Sequence, residues 1–409
     1  MKLSHVSAWG TALVVAGAGV FSVTVGQAQT AAPWNLVEHT VATGLRGGYH
    51  VTAADINKDG KTDLLAVATG AKVDLVWFEN PLGAEAGTAK AATWTPHVMA
   101  SGFPGMINAA AFDTDKDGYP EVVLQSGFST TPAKGDGRMI LLTKGADVNA
   151  PWTAKEFDRM PSVHRVRWID AEGNGRKMVV NGPLGGPAGV PPDYKDKVAI
   201  YAYALPDLKR QTITDADEGV LHGLQIVDWD GKGREALLGA SFMGIHLYRY
   251  NNGAWQRTRL TAGNPEPWPK NGSSDVVVVR TKAGRQLASI EPWHGNQVVI
   301  YRGKGDTWDT RTVIDDTLND GHTMANADLD GDGVDEVIAG YRGGGGGVNI
   351  YRLGANDQWT RFVVAAPAEK SMAAAGCAAA HLNDDKRIDF ACIGTSTANL
   401  KWYENLPAK

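Results

Sequence analysis

Three copies of one acidic loop, each set between two short apolar runs, constrain this chain more than anything else in it. Asp55-Ile56-Asn57-Lys58-Asp59-Gly60 is followed by Asp63. Asp113-Thr114-Asp115-Lys116-Asp117-Gly118 is followed in the same place by Glu121, and Asp328-Leu329-Asp330-Gly331-Asp332-Gly333 by Glu336. Oxygen ligands on alternate residues, with a glycine where the backbone turns sharply, suit a hard divalent cation. An EF-hand would place Glu at the twelfth position, but the first copy has Ala66 there and the third has Ala339. The residues after each loop (Asp63-Leu64-Leu65-Ala66-Val67; Glu336-Val337-Ile338-Ala339) are strand-like rather than helical. The loops therefore join β-strands and mark a repeat. Asp55, Asn57, Asp59, Asp63, Asp113, Asp115, Asp117, Glu121, Asp328, Asp330, Asp332 and Glu336 are the expected Ca2+ ligands, in up to three structural sites.

The repeat is found by searching for self-similarity. Asp-rich turns begin at Asp55, Asp113, Asp170, Asp228 and Asp328, and a degenerate copy begins at His381. A further copy without acidic ligands runs through Arg280-Thr281-Lys282-Ala283-Gly284, which makes seven. A second apolar strand follows each turn. A third is rich in aromatics, as in Val76-Trp77-Phe78 and Lys401-Trp402-Tyr403, and a fourth usually opens with Trp, at Trp94, Trp152, Trp255, Trp308 and Trp359. Four strands per repeat is the pattern of a β-propeller blade. The last repeat stops after its third strand, and a spare strand lies at Trp34–Val41, so that strand is expected to complete the last blade and close the ring. The expected fold is all-β: one seven-bladed propeller over 29–409.

The third and fourth loops depart from the pattern. The third reads Asp170-Ala171-Glu172-Gly173-Asn174-Gly175, and the fourth carries Lys232 at its third ligand position. Neither is expected to bind an ion, and the Lys232 ammonium is expected to stand in for one.

Lys2, an apolar run from Thr11 to Val25 and Gly26-Gln27-Ala28 read as a secretory signal over 1–28, with the mature chain starting near Gln29 and exported to a periplasm or beyond. No later stretch reaches the roughly 18 apolar residues of a membrane span. A net charge of −5 and the lack of any Lys/Arg-rich run argue against a nucleic-acid partner. The two cysteines, Cys377 and Cys392, fall on neighbouring strands and are read as buried free thiols, with pairing after export as the alternative. A closed propeller needs no partner for stability, so a monomer is expected.

The Asp-x-Asp/Asn-x-Asp-Gly loop between a blade's first two strands resembles the FG-GAP/VCBS repeat, in which such loops bind calcium. That resemblance implies fold more than function, since adhesion proteins and enzymes share the repeat. A narrower one concerns His164-Arg165-Val166-Arg167-Trp168, Val220-Leu221-His222, Glu291-Pro292-Trp293-His294-Gly295-Asn296 and Gly321-His322-Thr323. These segments resemble the propeller domain of the aldos-2-ulose dehydratases, which eliminate water from keto-sugars, and seven-bladed propellers also occur among polysaccharide lyases. The dehydratases carry a cupin domain with its own metal site as well, so the resemblance implies here only the chemistry of a propeller site.

The histidines point to a site without any family. His164, His222 and His322 each lie six residues before the first Asp of a turn, and His50 lies five before. All four then sit where an innermost strand begins, at the mouth opposite the calcium loops. His294, in a turn between second and third strands, opens on the same mouth. Imidazole suits removal of a proton next to a carbonyl or carboxylate, and an enolate needs cations or donors nearby. The expected acid–base set is His164, His222, His294 and His322, supported by His50 and Arg165. Arg167, Arg342, Trp293, Asn296 and Glu291, with Tyr194 and Lys195 in the insertion Asn181–Asp196, are the expected substrate-binding residues. A transition metal on three or four of the histidines, with Glu291 completing the set, is the second use of this mouth. The activity expected is a carbohydrate lyase or dehydratase working by β-elimination. The alternative is a non-catalytic FG-GAP propeller that binds glycans or proteins.

Overall fold

In a computed structural model, the structure describes residues 32–70, 73–82 and 93–407. The expected signal over 1–28 and the start near Gln29 lie outside the described residues. Residues Pro33–Lys409 form one unit. Its described residues hold twenty-eight strands, β1 to β28 in chain order, in seven four-stranded antiparallel sheets.

Each sheet is one blade in simple up-and-down order. The first blade runs from the axis outward through β2 (Gly48–Ala54), β3 (Asp63–Ala68), β4 (Leu75–Glu79) and β5 (Thr95–Ala100). The other innermost strands are β6 (Asn108–Phe112), β10 (Arg165–Ile169), β14 (Leu221–Val227), β18 (Asp275–Thr281), β22 (Gly321–Ala327) and β26 (Ala374–Ala380). Each packs against the next around the axis, and β26 returns to β2. The ring is closed as expected: β1 (Asn35–Thr43) pairs antiparallel with β28 (Asn399–Leu406) and so supplies the last blade's outer strand. β1 thereby covers the edge that β28 would otherwise leave open.

Burial explains why these sequences make these strands. Second strands such as β3 and β27 (Asp389–Gly394) are buried on both faces and read as nearly continuous apolar runs. They are sandwiched between neighbouring blades, which removes the usual alternation. Outer strands such as β9 (Thr153–Met160) are largely exposed and polar. Trp77 and Trp402, from third strands, fill the spaces between blades.

One expectation is corrected here. Cys377 and Cys392 are not free thiols but a disulfide. They are directly opposed partners on β26 and β27, which brings their Cα atoms to 4.2 Å and the sulfurs within bonding reach.

Candidate active site

The side chains at the mouth come from one structural layer. Counting six residues back from the first residue of each turn gives Tyr49, Ile107, His164, His222, Ser274, His322 and Ala375. Those groups meet. Tyr49 Oη lies 3.0 Å from His164 Nε2 and 3.1 Å from His322 Nε2. The carbonyl of Ser274 faces His222 Nδ1 at 3.1 Å, and the carbonyl of Ala375 faces His322 Nδ1 at 2.6 Å. His294 reaches in from the turn between β19 (Gly284–Glu291) and β20 (Gln297–Lys304), with its backbone held at a φ of 51°. Its Nε2 is 3.3 Å from His222 Nε2. Arg165 closes the circuit, donating from Nη1 to His164 Nε2 at 2.8 Å and from Nη2 to His222 Nε2 at 3.3 Å.

The hydrogen bonds decide which nitrogens carry protons. A carbonyl can only accept, so His222 and His322 hold their protons on Nδ1 and turn Nε2 lone pairs inward. His294 Nδ1 sits 3.3 Å from Asp320 Oδ1, and Arg342 clamps the same Asp320 at 2.9 and 3.0 Å. One ring nitrogen from each of His222, His294 and His322 lies within 4.8 Å of the other two. The 3.3 Å between His222 and His294 matches the edge of a tetrahedral site, roughly 3.3 Å for metal–nitrogen bonds of about 2.0–2.1 Å. Carbonyl and carboxylate groups behind the ligating imidazoles are the usual outer support of such a site. The three histidines therefore fit a transition metal.

Burial and the Arg165 guanidinium push the pKa values of His164 and His222 well down; for His294 and His322 the causes are burial and then Arg342. All four are neutral at pH 7, the form that accepts a proton or ligates a metal. His294 is the exposed corner of the group, its side chain 27% accessible, while His164, His222 and His322 are buried.

Other expected residues fall elsewhere. His50 is not in the layer; Tyr49 takes that position, and His50 lines the tunnel beneath with Arg167. Its offset of five rather than six from the turn already signalled this. Glu291 is fully buried and cannot complete a ligand set at the mouth. Its carboxylate accepts from Ser273, Tyr301 and Arg311. Tyr194 is also buried, donating to the Thr130 carbonyl and packing edge-on against Trp293, so it wedges the insertion rather than facing substrate. Lys195 is exposed, and Asn296 ties the rim by donating to the Asp316 carbonyl. Trp293 packs tilted against His294, and Arg342 Nη2 lies 3.2 Å from His294 Nδ1. Tyr49, Ser274 and Asp320 were missed by motif reading, although Tyr49 and Ser274 were legible from the six-residue phase.

The acidic loops lie at the opposite end of the blades. In each of the three, the first Asp accepts the N–H of the turn glycine at 2.9 Å, and that glycine has a positive φ of 82 to 92°. The ninth-position acid stitches the loop to the blade instead of pointing only into the loop. Asp63 accepts from Ile56 and Asn80, Glu121 from Thr114, and Glu336 from Leu329. Asp389 makes the same clasp in the last blade, so this job needs no ion. Buried oxygens without partners remain at Asp113 Oδ1, Asp328 Oδ1 and Glu336 Oε1, and burial pushes Glu336 up to about 8. Those orphan oxygens fit a cation in the second and third loops. In the third, Arg352 partly fills that role, 2.7 Å from Asp330 and 3.2 Å from Asp332. Lys232 does not stand in for an ion; its backbone N–H bonds Asp228 and its side chain is exposed.

With this geometry in place, comparison with known proteins narrows the field. The profile of the aldos-2-ulose dehydratase β-propeller domain matches residues 136–304, and that of the FG-GAP-like repeat matches residues 55–124. The first range contains His164, Arg165, His222 and His294. The chain resembles an aldos-2-ulose dehydratase propeller. A relative described as aldos-2-ulose dehydratase, from Phanerodontia chrysosporium, is 26% identical over 341 residues, covering 74% of this chain. The match spans 37% of that dehydratase's length. Among solved structures, the chain described as BBS1N in complex with ARL6DN aligns with a TM-score of 0.57 at 11% identity, covering 92% of this chain and 98% of that one. That likeness concerns the fold alone. Among the described residues no helix is long and apolar enough to cross a membrane.

Proposed function

We propose that this propeller is a carbohydrate dehydratase or lyase acting by β-elimination, with a divalent transition metal at the mouth. The reading rests on one observation: His222, His294 and His322 bring ring nitrogens within 4.8 Å of one another. The pinned tautomers of His222 and His322 and the similarity to an aldos-2-ulose dehydratase support it. A metal held by the three histidines would polarise a carbonyl or carboxylate oxygen of the sugar.

Tyr49 and His164, joined at 3.0 Å, are the proposed acid–base pair. One of them takes the proton next to the carbonyl. The C–H electron pair becomes a C=C bond, the C–O bond at the next carbon breaks, and the departing oxygen leaves with a proton as water or an alcohol. Burial and then Arg165 keep His164 neutral, and Arg165 offers positive charge to the developing enolate. His294, as the exposed corner, marks where substrate arrives, beside Trp293. Ca2+ in the second and third acidic loops is proposed as structural. The Cys377–Cys392 disulfide supports an oxidising compartment, in keeping with export.

The test is an ultraviolet scan of purified protein, reconstituted with Zn2+, Mn2+ or Co2+, against keto-sugars and polyuronates. Unsaturated products absorb where the substrates do not. The expected result is a rise that is lost in His164→Ala and His294→Ala, with one equivalent of metal bound and lost in His222→Ala. A flat trace across the panel would move the protein to the class of glycan-binding propellers.

A further inference from the structure

Beneath the histidine layer, and sharing Tyr49, Arg165 and His322 with it, the propeller axis holds a cavity of about 270 Å³. Five innermost strands (β2, β10, β14, β22 and β26) line it with Asp275 at the start of β18, and its charged and polar walls include Arg165, Arg167, Asp275, His50 and Gln225. Arg165 and Arg167 are two apart on β10, so both side chains point at the axis. Neither guanidinium has a carboxylate within ion-pair distance among the described residues. Arg165 donates only to His164 and His222. Arg167 uses Nη1 for Asn108 and the Val166 carbonyl, which leaves its Nε and Nη2 without a protein acceptor.

Asp275 does not pair with them either. Its two oxygens accept the backbone N–H groups of Met324 at 2.9 Å and Val276 at 3.0 Å. His50, facing the same space, is held neutral by burial and by both arginines. Two guanidinium charges against one carboxylate leave the cavity walls at +1 when Asp275 is ionised. Crowding shows in Arg167 itself, whose pKa burial and then Arg165 lower to about 10. Isolated buried charge is costly unless something compensates it.

We propose that this tunnel cavity is an anion site that holds one small monovalent anion, a halide or a one-carbon carboxylate, between Arg165 and Arg167. The volume admits such an ion together with several waters of roughly 30 Å³ each. The ion meets Arg165 from below and so anchors the guanidinium that orders His164 and His222.

The experiment uses the full chain at constant ionic strength, with chloride, bromide or formate exchanged against gluconate, a bulky and weakly coordinating anion. Thermal midpoints are expected to rise by about 2 °C per tenfold anion once above the dissociation constant. The rise is expected to vanish in Arg167→Met, whose far-ultraviolet spectrum reports whether it folds. Chloride-35 line broadening on the unmutated protein, displaced by formate, gives a second readout that needs no variant. Halide and formate arms show which anion class the site prefers. Equal shifts with gluconate, an undiminished shift in folded Arg167→Met, or no displaceable broadening would overturn the site.

Discussion

Tyr49 is the residue on which the proposed chemistry turns, because its single proton lies between two imidazole nitrogens. Tyr49→Phe keeps the ring in place and removes only the hydroxyl. Turnover in the absorbance assay is expected to fall about 10²-fold or more, the usual worth of a positioned acid–base group, with the thermal midpoint little changed. A second residue-scale effect belongs to His246, far from the phase of the mouth. It is buried, both its ring nitrogens lack hydrogen-bond partners, and Asp217 stands 3.7 Å away, with Arg257, Arg259 and Tyr248 around it. Burial lowers its pKa to about 4. The unfolded chain, at an ordinary pKa near 6.5, therefore binds the proton first. Stability is complete above pH 6.5 and is lost as pH falls toward 4, by an amount on the order of 2–3 kcal/mol. His246→Phe is expected to flatten that part of a denaturant-midpoint series taken from pH 7 to pH 4. An unchanged slope would assign the acid sensitivity to other groups.

At the scale of the element, the acidic loop does two separable jobs. The ninth-position clasp of Asp63 or Asp389 ties the turn to its blade through backbone N–H groups, and it works without a cation. The alternating Asp oxygens are the part that wants an ion, since Asp113 Oδ1 and Asp328 Oδ1 are buried without partners. Chelation is accordingly expected to lower the thermal midpoint and Ca2+ to restore it, by about 2.7 kcal/mol per site at a hundredfold excess over the dissociation constant. Asp113→Asn should remove one share of that calcium response. Asp63→Asn should instead destabilise the protein equally with and without calcium. A midpoint indifferent to both chelator and Ca2+ would leave the loops as self-clasped turns. The repeats and their third-strand aromatics were legible as periodic patterns. The division of labour inside the loop was not, because a motif records which residues are present and not which way each oxygen points.

Across the whole molecule, closure is made twice over at one blade. β1 supplies its outer strand, and the Cys377–Cys392 disulfide crosses its two inner strands. The bridge spans 15 residues, which in the loop-entropy picture is worth about 3 kcal/mol. The double variant Cys377→Ala/Cys392→Ala is expected to lose that much in denaturant titration while keeping the fold. A loss under 1 kcal/mol would mean that the seam is held by strand pairing alone. Ring closure also gathers the site. Residues as far apart as Tyr49 and His322 touch only because the first blade returns to meet the last ones around one axis.

The chain's own pattern determined the number of blades, the strand that closes the ring and the phase that aims His164, His222 and His322 at one mouth. These follow from local periodicity, which the spacing of apolar and turn residues carries directly. Only the tertiary structure decided that His294 meets His222, that Glu291 is engaged by Ser273, Tyr301 and Arg311, and that the two cysteines pair. Each of those outcomes depends on which side chain a neighbouring blade places opposite, and that is settled by packing across the ring rather than along the sequence.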